Sequence, residues 1–354
     1  VKNVINKANI NISSSAKDAY VGGLIGACNQ DGGKAYAHEY SYFTGCVNYG
    51  NLTVSVSPSA RVAGMVGNVA KYQHGVYTDC VNYGDITVSA KDSPYVAGIA
   101  GSSFGGEFYN CVNNGDLYSD AAAHMGGILG RGTPSAQSTD QSSTAVGCVN
   151  TGNLTIKAGT GSGTLGGIFG QCGIDPKTTI THAVYTTEKC VNLGTLTSDG
   201  TQIGAMIGYV YGNNNVVKYS YGVVRGCVNA GKLVGTKNVN TTGLTTARAA
   251  FISHFIGYVN ANRTVIENSY GLGTLENTND EYNVIFGLSG DKATAFKVSN
   301  IFLAPDDGTT NYSYALDTAT ADRSTNRLDL FNEKVAGKVT VLTTEELASG
   351  KVTY

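Results

Sequence analysis

The sequence predicts an all-β fold, a parallel β-helix of about eight coils, and three observations carry that expectation. The stretch GCVNYGNLTV, Gly45 to Val54, recurs as DCVNYGDITV, NCVNNGDLYS, GCVNTGNLTI, KCVNLGTLTS and GCVNAGKLVG. A second element alternates with it: VGGLIG (Val21 to Gly26), VAGMVG, VAGIAG, MGGILG, LGGIFG, IGAMIG and ISHFIG (Ile252 to Gly257). No segment before about residue 340 shows a sustained helical period.

Aligned on the cysteine, the copies fall at 46, 80, 111, 148, 190 and 227, so the spacing runs from 31 to 42 residues. Degenerate copies extend both ends, with Val4 and Ser269 at the cysteine position. A third element, rich in aromatic and β-branched residues, precedes each cysteine, and that composition favours strand. A propeller blade needs four hairpin-connected strands and a steady length. A solenoid tolerates drift, because insertions bulge at corners while stacked strands keep register.

In a parallel stack, equivalent residues lie above one another, about 4.8 Å apart. Asn6, Asn48, Asn82, Asn113, Asn150, Asn192 and Asn229 then form an asparagine ladder, since each amide offers both donor and acceptor. Asparagine also tolerates the left-handed conformation of a sharp corner. The glycines two residues later (Gly50, Gly84, Gly115 and their equivalents) suggest a second unusual backbone angle there. Leu52, Ile86, Leu117, Leu154, Leu196 and Leu233 form an inward aliphatic file, and Thr53, Thr87, Tyr118, Thr155 and Thr197 face out by period-two alternation. Consecutive apolar residues such as Met65 and Val66 imply that the strand either bends at its glycine or is covered by a loop.

The chain has 47 Gly, 22 Tyr, no Trp and a net charge of −2. That balance gives no electrostatic case for nucleic acid or an anionic membrane, and no apolar run is long enough to insert in a bilayer. The start at Val1 reads as that of a mature or excised piece whose targeting signal is missing. Six of eight cysteines occupy one repeat position, with only Cys28 and Cys172 outside it. There is no CxxC pair and no Cys/His cluster, so no metal site is expected and the thiols read as small buried side chains.

The chemistry-bearing candidates form one outward strip: Tyr49, Tyr83, Asp85, Asn114 and Asp116. Asp85 and Asp116 share a ladder position on adjacent coils, with Asn51 and Asn153 flanking them. Aromatic faces with amide and carboxylate groups suit a glycan. The same strip offers calcium two carboxylates, which is thin support for a cofactor, since that ion takes six to eight oxygens. Asp and Asn also suit a solvated corner. Tyr40, Tyr42, Tyr72 and Tyr77 extend the aromatic surface. The five histidines are scattered and HExxH is absent, so no catalytic residue is assigned.

Gly23-Leu24-Ile25-Gly26, Gly127-Ile128-Leu129-Gly130 and Gly167-Ile168-Phe169-Gly170 resemble the motif that names the GLUG-repeat proteins, and the CVNxGxL element is similar to the partner strand of that family. The resemblance covers residues 1 to 290. It implies a non-catalytic, adhesin-like domain of a secreted or cell-surface bacterial protein that binds a glycan or host surface protein, or projects further domains of its chain. A β-helical polysaccharide lyase or hydrolase is the alternative. Residues 291 to 354 break the repeat and read as an irregular C-terminal cap and linker to a downstream domain, with a turn at 303–308 and a capped helical turn at 343–350. The tail from Val339 to Tyr354 resembles the segment that closes such arrays.

Overall fold

Each copy of the repeat closes one coil of a parallel β-helix in the computed structural model, which describes residues 1–15, 18–28, 39–56, 58–70, 73–133, 142–157, 163–173, 182–199, 202–211, 219–236, 251–260, 263–277, 283–289, 296–304, 316–317 and 338–349. In one coil the chain runs through Glu39–Thr44, Val47–Asn48, Leu52–Val56, Ser59–Ala63 and Val66–Val69. The first two strands belong to a first sheet, the third to a second, and the last two to a third. Every pairing in register is parallel, so Asn48 sits between Asn6 and Asn82, and Leu52 between Ile10 and Ile86. Along Leu52–Val56, burial alternates strictly, with Thr53 outward as the sequence predicts.

The third sheet resolves the double apolar run. Its strands break at Gly64–Met65, between Ser59–Ala63 and Val66–Val69. The chain turns there, so Met65 and Val66 both reach the core and both are fully buried.

The left-handed corner is not where the asparagines suggest. Positive φ falls on the residue before each cysteine: Gly45 (61°), Asp79 (53°), Asn110 (52°), Gly147 (66°), Lys189 (52°) and Gly226 (58°). The ladder asparagines themselves lie in strands. Gly50, Gly84 and Gly115 are needed for closeness rather than for φ. A Cβ on Gly84 would stand 2.0 Å from Gly50 O, and one on Gly115 would stand 2.1 Å from Gly84 O. The chain crosses the coil below backbone to backbone, and only glycine fits.

The corner also explains the cysteine. Each thiol reaches the carbonyls beside the left-handed turn. Cys80 Sγ lies 3.5 Å from Phe43 O and from Thr78 O, and Cys148 Sγ lies 3.4 Å from Phe108 O and 3.7 Å from Val146 O. Ser269 fills the same role, its hydroxyl donating to Glu267 O at 2.8 Å. From Cys46 to Ser269 the position thus carries a small side chain with a weak donor, whereas Val4 and Ile301 hold it in the coils at either end. All eight cysteines are free, and the six of the repeat are fully buried. Burial pushes the thiols of Cys111, Cys148, Cys190 and Cys227 above their ordinary value. Because all six thiols of the repeat are fully buried, a thiol reagent should label them only on unfolding, and rapid labelling of the native protein would contradict the packing.

The parallel stacking continues past residue 290. Phe296–Leu303 pairs with Arg263–Gly271, and Val339–Val341 pairs with Phe296–Leu303. A short helix, Thr344–Ser349, follows, with Thr343 and Glu346 exchanging side-chain-to-backbone bonds of 2.8 and 3.1 Å across its start. Most of the turn at 303–308 lies outside the described residues.

Candidate functional site

The asparagine ladder is continuous. Each Nδ2 donates to the Oδ1 of the next coil: Asn6 to Asn48 at 2.7 Å, Asn48 to Asn82 at 2.8, Asn82 to Asn113 at 2.9, Asn113 to Asn150 at 2.8, Asn150 to Asn192 at 2.9 and Asn192 to Asn229 at 2.8. From Asn48 to Asn229 the second hydrogen of each amide goes to the carbonyl of the glycine two residues on, as in Asn113 to Gly115 O at 2.9 Å, and that of Asn6 goes to Ala8 O at 3.0 Å. The amides face the interior, against the glycine of the other motif: a Cβ on Gly98 would meet Asn113 Oδ1 at 2.3 Å. The two alternating motifs are thus two sides of one contact.

The last coil shows how tightly they are linked. Gly271 stands where the next asparagine would be, and His254 stands where the facing glycine would be. The imidazole fills the hole, close enough that a Cβ on Gly271 would meet His254 Cδ2 at 2.5 Å. Its Nδ1 takes the final ladder hydrogen bond, 2.9 Å from Asn229 Nδ2. Burial holds the ring neutral, with its pKa pushed down to about 3, which suits an accepting nitrogen.

The outward strip assembles as the register predicts. Tyr49 and Tyr83 stack with ring centroids 5.0 Å apart and planes 3° from parallel, and they are 50% and 48% exposed. The file continues through Asn114 and Thr151, whose hydroxyl donates to Asn114 Oδ1 at 2.6 Å, to Leu193, 52% exposed. One face of each tyrosine is turned to the other, so the faces open to a partner are those turned away.

Asp85 and Asp116 have an architectural task that the sequence did not suggest. In their file, each side-chain oxygen accepts the backbone N–H of the next coil: Asn9 from Asn51 at 2.9 Å, Asn51 from Asp85 at 2.9, Asp85 from Asp116 at 2.9, Asp116 from Asn153 at 2.7 and Asn153 from Thr195 at 3.1. This outer ladder occupies Oδ1 of both carboxylates. Oδ2 of each, the amide nitrogen of Asn114 and the hydroxyls of Tyr49 and Tyr83 are the polar atoms left to the strip. Among the described residues, no group of three His, Cys, Asp or Glu side chains is placed to hold a metal ion.

A second polar group stands on the outer face of the first sheet. Tyr40 lies against His74 at 5.0 Å between ring centroids, and Tyr42 packs on Tyr40 at 6.0 Å. His74 Nε2 is 3.1 Å from Glu107 Oε1, and Tyr109 donates to Glu107 Oε2 at 2.7 Å. That bond to the carboxylate pushes the Tyr109 phenol up to about 12. The positions could have been found by counting back from each cysteine, six residues to Tyr40 and His74 and four to Tyr42 and Glu107. Tyr77, expected to widen the aromatic surface, is instead fully buried, stacked between Phe43 at 4.8 Å and Phe108 at 4.9 Å. Period-two alternation places it opposite Tyr42. Tyr72 lies outside the described residues.

The fold and its surface define a parallel β-helix with an internal amide ladder and an exposed aromatic strip. Compared with protein-family models, curated proteins and solved structures, the chain has no match.

Proposed function

We propose that this chain is a non-catalytic β-helical domain of a secreted or surface bacterial protein, and that it binds a glycan on the strip of Tyr49, Tyr83, Asp85, Asn114 and Asp116. One observation carries the reading: two coplanar tyrosines are held half in solvent on a scaffold that buries most of its other large apolar side chains. Aromatic pairs kept in water by a rigid backbone serve recognition, because ordering them costs little more on binding. The open face of Tyr83, beside Asn114, is a platform for one sugar ring. The free oxygens of Asp85 and Asp116 then accept hydroxyl hydrogens from the same saccharide. The resemblance of the two motifs to GLUG repeats supports the cellular setting, and the neutral, repetitive scaffold suits display. Adhesion to a host surface is the corresponding role.

A glycan array with the purified chain identifies the ligand. Replacing Tyr49 and Tyr83 together by alanine should then lower its affinity roughly 5- to 150-fold, since stacked rings contribute roughly 1–3 kcal/mol. Circular dichroism should not change, because both rings lie outside the core. Unaltered affinity places the site elsewhere.

The polysaccharide-cleaving alternative moves from Asp85 and Asp116, each of which has one oxygen tied into the outer ladder, to the His74–Glu107–Tyr109 group. New reducing ends after incubation with the array-positive glycan would favour it.

A further inference from the structure

Where the third sheet bends at Gly64–Met65, its two outer faces turn toward each other. Tyr20, Arg61, Tyr95 and His124 form a file on one arm, in register. Asn68, Ser102 and Arg131 form a file on the other. The crease between them is tight near its floor, where a Cβ on Gly67 would stand 2.7 Å from Val21 N and O. Outward residues are consequently sheltered: Asn68 is 3% and Ser102 2% exposed.

This crease collects positive charge. Arg61 Cζ lies 4.8 Å from the Tyr20 ring centroid and 5.5 Å from that of Tyr95. Arg131 Cζ lies 4.9 Å from the same Tyr95 ring, and its Nη1 donates to the Tyr95 hydroxyl. Two guanidinium groups therefore share one aromatic ring. The ion pairs among the described residues form elsewhere, at His74–Glu107, Arg225–Glu267, Lys232–Glu276 and Lys297–Glu267. Cation–π contact fixes the guanidinium planes but does not neutralise them. His124 stays neutral and adds no charge of its own, since burial and then the field of Arg131 push its pKa down to about 3. Two buried polar atoms in the crease lack partners among the described residues: Arg131 Nε, a donor, and Asn68 Oδ1, an acceptor. Buried polar groups are normally hydrogen-bonded, so such a pair points to a ligand.

The chemistry of that ligand follows. Fixed guanidinium forks match the planar or tetrahedral oxygens of a carboxylate or sulfate. A bare oxyanion, however, has no hydrogen for Asn68 Oδ1, whereas a sugar hydroxyl has. We propose that the crease binds an acidic saccharide, its carboxylate or sulfate held by Arg61 and Arg131 and a neighbouring hydroxyl donating to Asn68. This extends the glycan reading to a second face and does not depend on Tyr49 or Tyr83.

Calorimetric titration with a galacturonic acid oligosaccharide, a sulfated oligosaccharide and a neutral one of equal length tests it. One of the two acidic ligands should bind, more weakly as salt rises, and the neutral one should not bind in the crease. Which of the two binds separates carboxylate from sulfate. Arg61→Gln and Arg131→Gln should each weaken binding roughly tenfold or more, the scale of a lost charge-assisted hydrogen bond. Tyr49→Ala/Tyr83→Ala should leave this binding intact, which separates its failure from failure of the strip. Should a glutamine variant unfold, the Arg131 Nε–H signal of the unaltered protein in nitrogen-15 NMR should shift as the acidic ligand is added. Binding by neither acidic ligand, full affinity in both variants, or an Arg131 signal that stays in place at saturation overturns the proposal.

Discussion

Gly115→Ala should destabilise the protein by roughly 4 kcal/mol or more, at the exceptional end for one added methyl group. Its φ is not in the left-handed region, so strain in the residue itself is not the cause. The new Cβ would stand 2.1 Å from Gly84 O and 2.9 Å from Asn82 Nδ2. Neither atom can yield, because Asn82 Nδ2 already donates to Gly84 O at 2.8 Å and to Asn113 at 2.9 Å. Relief requires two coils to separate, which breaks ladder bonds on both sides. Gly226→Ala makes the contrast. Its φ is 58°, but the nearest atom to a new Cβ is Lys189 Cγ at 3.6 Å. The cost there is the left-handed penalty alone, about 1–2 kcal/mol. Urea midpoints should separate the two variants clearly, and similar midpoints would mean that φ, not close approach, selects these glycines.

Asn113→Ala should cost roughly 3–5 kcal/mol, the sum of several unsatisfied buried groups. Removing the amide strips Asn150 Oδ1 and Gly115 O of their donor and Asn82 Nδ2 of one acceptor. Residue 113 is fully buried against Gly98, and water has no obvious way in to replace it. The loss should also be less than additive with a second removal at Asn150, because the two share a bond. Circular dichroism melts of the two single variants and the double variant measure that coupling.

Much of this architecture was legible because a parallel stack sets like on like. The ladder, the Leu52–Ile86–Leu117 file and the Tyr49–Tyr83 pair need only the repeat spacing. The corner was not legible, because its position is occupied by Gly, Asp, Asn and Lys in different coils, and Lys189 gives no left-handed signal. The asparagine and glycine of the motif resembled a turn pair, but one is an interior hydrogen-bonding group and the other a point of backbone contact. The His254 substitution was visible in principle, since it replaces a motif glycine in the copy just before the ladder loses its asparagine. The Arg61–Tyr95–Arg131 group was not, because it forms only if the third sheet bends, and Met65 with Val66 allowed either a bend or a cover.

The repeated motif builds one continuous amide ladder through the interior, from Asn6 to Asn229. Denaturant melts of Asn113→Ala and Asn6→Ala, run side by side, test that most directly. Asn6 has one ladder neighbour, and its remaining bonds, to Ala8, are open to water. Its loss should cost roughly 1–2 kcal/mol, because only Asn48 Oδ1 loses a donor inside while the bonds to Ala8 pass to water. A clearly larger midpoint shift for Asn113→Ala is the predicted result, and equal shifts for the two variants would contradict the ladder.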